Sequence, residues 1–503
     1  MRGRWLGRML VAAAALARPA WAIEAHAPGK GHAMQSHKSF EPHADLASAE
    51  AAAKARQAAL VATGAPIHLE RVVPFGAGVV EEWRLDNGLG VLLAVDPLVP
   101  VVAVQTWLRV GSADESAGKT GLAHLFEHLM FKSTRTQPAG TLDRVLEQMG
   151  GAANAATSLD YTFFQETVPT AHVPTVLALE ADRLVNLDLT AAAFRSELSV
   201  VRNERREVVD NDPDGQMDEA MSELAWGSQP YGHPVIGSPA DLAALTVADA
   251  RAFYAQYYGA GRATLVLAGG FDPARLLQGI VEHYGGLPAG TPQAPPRAEA
   301  PTGAAQRTVV VDAGAERAAV AWRLPPGDHA DAVALEVLAE VLGSGDSARL
   351  AKALLFAQPI ASAVSADVSD ARLGSLLQVH VTLLPGERGR EALERVDAVV
   401  RALLGSQPTS EAELTAAKNR LKMAYFSSLA HAEGRAEQLG HALLSYGSLE
   451  PALQFPARLA AVTTGDVQRV AHAYLIAERR VVVLGELPPP KVARKRAEDG
   501  RRG

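Results

Sequence analysis

The sequence predicts an α+β protein made of two homologous domains in tandem, and three observations carry that prediction. A pattern recurs at a constant offset of 217 positions (Leu245 to Val462, Asp249 to Asp466). Leu245-Thr246-x-x-Asp249 precedes a helix ending at Tyr257, then Arg262 and a strand over 264–267. Val462-Thr463-x-x-Asp466 precedes a helix ending at Tyr474, then Arg479 and a strand over 481–484. One offset shared by a helix and a strand in the same order marks duplication of a whole domain. Between the copies, residues 287–304 hold Pro288, Pro292, Pro295, Pro296 and Pro301 with Gly290 and Gly303, the composition of a semi-rigid linker. The chain has 503 residues, 48% hydrophobic and 21% charged, ordinary for a folded protein and long enough for several domains.

Composition also excludes functions. There is no cysteine, which removes disulfides, thiolate nucleophiles, iron–sulfur clusters and cysteine zinc sites. Any metal must be held by His, Asp or Glu. The formal charge of −8 leaves no basic footprint for nucleic acid.

The elements follow in order. Residues 1–22 read as a signal peptide. Arg2, Arg4 and Arg8 precede a short apolar run over 9–17, and Ala20-Trp21-Ala22 is a cleavage site. The protein is therefore expected in the periplasm or secreted. Arg18 lies inside the approach to the cut, and an uncleaved membrane anchor is the alternative.

Residues 23–68 read as a flexible segment. His26, His32, His37 and His43 are scattered through it, and a solvated tether is favoured over a metal scavenger. Residues 47–62 suit a short Ala-rich helix.

The first domain is placed at 69–286. Residues 83–85, Asn87-Gly88 and 91–95 make a hairpin signal. Strands are expected over 101–110, 161–168 and 264–268, and helices over 121–131, 173–187 and 192–209. The second domain is placed at 305–487. Residues 488–503 form a basic tail, expected to be solvated.

The sharpest chemical feature is His124-Leu125-Phe126-Glu127-His128. On a helix the two histidines form an i, i+4 pair able to chelate one ion. Glu127 flanks them on the side opposite to that of H-E-x-x-H, which makes this the inverted zinc-peptidase motif, with Glu as the base that activates a water. Two neutral histidines need a third ligand, usually anionic. Within 194–210, Glu197 and Glu204 are seven apart and share a helix face, while Glu207 points to the side.

With these residues the chain resembles the pitrilysin/insulinase-like zinc peptidases. The closest branch is that of two-domain subunits resembling mitochondrial processing peptidase and its bacterial relatives. The resemblance rests on His124-x-x-Glu127-His128 and on Glu204 within Val201-Arg202-Asn203-Glu204-Arg205-Arg206-Glu207. It extends to Gly150-Gly151-Ala152-Ala153-Asn154-Ala155, Thr157-Ser158-x-Asp160-Tyr161-Thr162 and Tyr231-Gly232-His233-Pro234-x-x-Gly237. It covers residues 72–485 and is most specific in the first half.

The resemblance implies a mostly antiparallel sheet packed with helices in each domain. It implies zinc (Zn2+) held by His124, His128 and Glu204, and Glu127 as general base. Glu197 becomes a carboxylate behind a histidine ligand, a solvated helix charge being the plainer reading. Asn154 and Ala155 fall on an edge strand that pairs with an extended peptide substrate.

The second half departs from the first. Near the metal motif it offers Glu336-Val337-Leu338-Ala339-Glu340, without histidine, so no second zinc is expected. In this family the second domain, or that of a partner, usually presents an Arg and a Tyr seven residues apart. Those positions fall on Leu355 and Ser362, with Arg349 or Arg372 as candidate substitutes. The resemblance thus implies a metal-free homologous partner subunit supplying the Arg/Tyr pair, with this chain as the catalytic subunit of a heterodimer. The expected activity is zinc-dependent endopeptidase action on extended or unstructured peptides. A non-catalytic subunit of the same fold and a peptidase dedicated to maturing one precursor peptide are the alternatives.

Overall fold

A computed structural model describes residues 45–291, 296–299 and 301–489. The leader, most of the basic tail, part of the linker and the four N-terminal histidines lie outside the described residues.

The second part of the segment expected to be flexible (23–68) is folded. Helix α1 (Leu46–Ala62) starts at the Asp45 N-cap, whose carboxylate accepts from Ser48 N. It buries Ala53 and Leu60 in the core of the first half. Alanine's high helix propensity makes the helix, and these two contacts anchor it. Strand β1 (Ile67–Phe75) then opens the sheet two residues before the expected domain start.

The first sheet contains β1, β2 (Gly78–Leu85), β3 (Gly90–Val95), β4 (Val101–Leu108), β5 (Ala152–Thr157), β6 (Thr162–Pro169) and β7 (Ala263–Gly269). Its order is β1-β2-β3-β7-β4-β6-β5. The second contains β8 (Ala305–Val310), β9 (Arg317–Leu324), β10 (Ala361–Ser369), β11 (Ser375–Leu383) and β12 (Arg480–Glu486), in the order β10-β11-β9-β12-β8. Reversed, the second order superposes on β3-β7-β4-β6-β5. Each sheet has one parallel pair, β3 with β7 and β8 with β12, and the remaining pairs are antiparallel. The repeat read from the sequence is thus a structural repeat. Helices Val247–Tyr257 and Thr464–Tyr474, each with a Thr-Asp capping box, and strands β7 and β12 all differ by 217 positions.

The halves exchange helices. Pro213–Trp226, from the first half, packs on β8, β9 and β12, burying Met217, Met221 and Trp226. Ala432–Tyr446, from the second half, packs on β4 and β7, burying Ala436 and Leu439. Central strands such as β4 and β7 are therefore covered on both faces, which is why they read as continuous apolar runs rather than alternating ones. Strand β5 lies at the open edge of its sheet, next to β6 only, and is built from small residues. Among the described residues no helix is long and apolar enough to cross a membrane.

Candidate metal centre

Helix α2 (Leu122–Leu129) carries the His-x-x-Glu-His segment. Leu122, Leu125, Phe126 and Leu129 are buried, with Phe126 packed among Phe253, Tyr254 and Tyr258. That packing turns His124, Glu127 and His128 the other way, towards helix Ala191–Arg205 and β5.

The start of α2 is capped from outside the helix. Gly121, its N-cap, has φ 92 and offers no side chain. Glu115 supplies the cap instead, accepting from Gly121 N at 2.9 Å and Ala123 N at 2.7 Å. Burial pushes the Glu115 carboxyl up to about 8, against the pull of those two amides. Gly121 also crosses Gly237 back to back. A Cβ at Gly121 would lie 2.7 Å from Ile236 O, and one at Gly237 would lie 2.5 Å from Thr120 O. Both residues have positive φ, so glycine is required at each by space and by backbone conformation.

Glu204 comes from the last turn of helix Ala191–Arg205, just before a single π-helical turn, Arg206–Asp210. Such turns re-aim side chains at functional sites. The adjacent Arg205 guanidinium fixes this end, donating to Gly237 O at 2.7 Å and to both oxygens of Glu219. Glu204 Oε1 then lies 3.4 Å from His124 Nε2, and Glu204 Oε2 lies 3.2 Å from His128 Nε2.

His124, His128 and Glu204 are the one group of metal-ligating side chains brought together among the described residues, with ligand atoms within 4.8 Å of one another. A tetrahedral ion with bonds of ~2.0–2.1 Å spaces its ligand atoms roughly 3.3 Å apart, so this set fits zinc. His124 is 8% exposed. Burial pulls its imidazole below the ordinary range, towards the neutral form that binds metal. Burial acts likewise on His128, but the hydrogen bond and charge of Glu204 outweigh it and hold it above.

The other expected site residues divide. Glu197 is 6% exposed and is not a solvated helix charge. One of its oxygens lies 3.9 Å from His128 Nδ1 and the other 2.9 Å from Lys132 Nζ. Asn154 and Ala155 sit on edge strand β5, Asn154 exposed. Glu207 is exposed on the π turn, away from the cluster.

Four contributors had no role assigned from the sequence. Thr157, the last residue of β5, donates its hydroxyl to Glu127 Oε2 at 2.7 Å. Lys132 follows His128 by four residues, a spacing that could have flagged it. Glu115 and Arg205 act through contacts that no local pattern encodes.

In the second half, helix Ala332–Gly343 takes the place of α2. Glu340 there is bound by Arg420, while burial pushes the Glu336 carboxyl up to about 8. Leu355 packs against the second core, and the Ser362 hydroxyl donates to Thr382 O. Neither candidate substitute is free: Arg349 is clamped on Glu413, and Arg372 on Asp160.

Two histidines, two carboxylates and a third carboxylate behind them, set between a helix pair and a sheet edge, define a metal-dependent hydrolase site. Residues 90–238 match the model of Insulinase (Peptidase family M16), and residues 244–421 that of the Peptidase M16 inactive domain. The chain is 30% identical over 419 residues to an uncharacterized zinc protease of Mycobacterium tuberculosis, covering 82% of this chain and 94% of the relative. It is 28% identical over 407 residues to mitochondrial-processing peptidase subunit beta of Blastocladiella emersonii, covering 78% and 85%. The crystal structure of a protease from Helicobacter pylori superposes with a TM-score of 0.78 at 27% identity, covering 81% of this chain and 99% of that one. The chain belongs to peptidase family M16.

Proposed function

We propose that this chain is a zinc-dependent endopeptidase that cleaves extended or unstructured peptides outside the cytoplasm. The observation that carries the reading is the Glu127 carboxylate, fixed by Thr157 beside the converging His124, His128 and Glu204 side chains. Its relatives' names as zinc proteases support the choice of metal.

His124, His128 and Glu204 would hold the zinc, with Glu197 behind His128 and Lys132 fixing Glu197. Zinc held there would supply Lewis-acid polarisation of a carbonyl and would lower the pKa of a water. Glu127 would take a proton from the attacking water as the water oxygen bonds to the carbonyl carbon, then deliver it to the leaving amine as the C–N bond breaks. The exposed edge of β5 offers main-chain N–H and C=O groups to an extended backbone, so selection rests on unfolded shape more than on sequence.

The proposal includes a partner. With Leu355 and Ser362 at the Arg and Tyr positions, Arg349 held by Glu413 and Arg372 drawn to Asp160, the described residues do not present the family's Arg/Tyr pair to a developing oxyanion. A metal-free homologous subunit would supply them across a shared chamber.

The test is cleavage of an unstructured fluorogenic peptide by the zinc-loaded full chain, alone and with a co-purified partner. Glu127→Gln should keep zinc and lose activity by at least ~100-fold. Unchanged activity overturns the peptidase reading. Full activity of the isolated chain overturns the heterodimer.

A further inference from the structure

Two hairpin turns meet at the boundary between the halves. One joins β5 to β6 and carries Asp160; the other joins β10 to β11 and carries Arg372. The repeat makes them counterparts, since β5 and β10 are the outer strands of their sheets. Asp160 is 2% exposed. It accepts from Arg372 N at 2.8 Å and Arg372 Nε at 3.3 Å. It also accepts from the Tyr231 hydroxyl at 2.6 and 2.8 Å to its two oxygens. That hydroxyl in turn accepts from Leu373 N at 3.0 Å. One buried carboxylate of the first half thus grips the main chain and a side chain of the second.

Thr157 stands three residues before Asp160. The chain between them is stitched in place: Ser158 N donates to Tyr161 O at 2.8 Å, Ser112 N to Ser158 O at 3.1 Å, and Ala113 N to Leu159 O at 2.9 Å. Thr157 itself is 4% exposed and pairs with Thr162. Its β-branched side chain has restricted χ1 freedom, so the hydroxyl direction follows the backbone. A terminal carboxylate rotates broadly about its last torsion. The hydrogen bond to Glu127 Oε2 restricts that freedom by tying one carboxylate oxygen to the end of β5.

We propose that the second half, through Arg372 and Asp160, holds the β5–β6 turn in the position from which Thr157 orients the Glu127 carboxylate. Thr157 is the positioning residue for the base, and Asp160 and Arg372 act through it. This rests on the peptidase reading above. It gives the second half a part in the chemistry. A mechanical link of this kind is established by non-additive energetics rather than by proximity.

The test is steady-state cleavage by the zinc-loaded full chain, with its partner subunit where one co-purifies, alongside zinc content and Tm. Thr157→Val is expected to lower kcat ~10–100-fold with KM little changed, because a misaimed group weakens the chemical step. Thr157→Ser should restore most of the rate, since it returns the hydroxyl. Arg372→Ala, or Asp160→Asn if the first variant folds poorly, should lower kcat several-fold with zinc retained. Combined with Thr157→Val, either should add no further loss. Losses that multiply, or an effect on KM alone, overturn the proposal. Glu127→Gln serves as the reference: wild-type activity in that variant sinks the peptidase reading, whereas an inactive Glu127→Gln beside a fully active Thr157→Val sinks only the positioning role.

Discussion

Gly440 rests directly on the indole of Trp107: a Cβ built at Gly440 would lie 2.2 Å from Trp107 Cε2 and 2.4 Å from Nε1. The contact joins a helix of the second half to the first sheet. The ring cannot withdraw, because it stacks on Phe163 at 4.4 Å and its Nε1 donates to Gln105. Gly440→Ala should gain about 1 kcal/mol of helix propensity and lose more to overpacking, for a net loss of about 1–2 kcal/mol. Calorimetry should show Tm lowered by several degrees. An unchanged or raised Tm would mean that the helix sits farther from the sheet than described.

On the proposed reading, the candidate metal ligands and the carboxylate behind them should separate in a zinc competition assay. Glu204→Gln should abolish stoichiometric zinc binding. Glu197→Gln should weaken it ~10–100-fold, because Glu197 lies behind His128, 3.9 Å from its Nδ1, and outside the cluster of candidate ligands. Equal losses would make Glu197 a direct ligand.

Glu115 should matter to the metal helix without touching the metal. Glu115→Ala leaves the amides of Gly121 and Ala123 without their acceptor, at a cost of about 1–3 kcal/mol. Hydrogen exchange at the first turn of α2 should accelerate. Wild-type protection there would show that the cap is dispensable.

Acid stability should report on the Arg349–Glu413 clamp. Burial raises the Glu413 carboxyl, but hydrogen bonds from Arg349 and Ser410 outweigh it and bring the group down to about 2. A depressed folded value stabilises the native state above the unfolded value of about 4.5, and this contribution fades as pH falls from there towards 2. Glu413→Gln should therefore destabilise the protein near neutrality and flatten the acid limb of the stability profile. An acid limb identical to that of the wild type would contradict the clamp.

Much of the site was legible because its chemistry is local. His124, Glu127 and His128 lie within one helical turn, and a motif can state such a spacing. Seven residues return a helix to the same face, which placed Glu197 and Glu204 side by side, while their separate roles are what the family resemblance implies. Thr157 stood inside a quoted motif without a role, since only the approach of β5 to α2 gives its hydroxyl a partner. Helix α1 follows from its Ala-rich composition, but its docking does not, because only the folded core gives Ala53 and Leu60 a place to fill.

By itself the sequence determined the duplication and the His-x-x-Glu-His pattern, because periodicity and spacing are properties of a single chain, while Glu204 joined the candidate ligands through the family resemblance of the segment around it. Tertiary structure alone decided which groups those residues meet. It exchanged helices between the halves, spent Arg349 and Arg372 on Glu413 and Asp160, and brought Glu115 beneath α2 and Thr157 beside Glu127. These are contacts between segments remote in sequence or of no fixed spacing, and they arise only when burial of both sheets fixes every backbone at once.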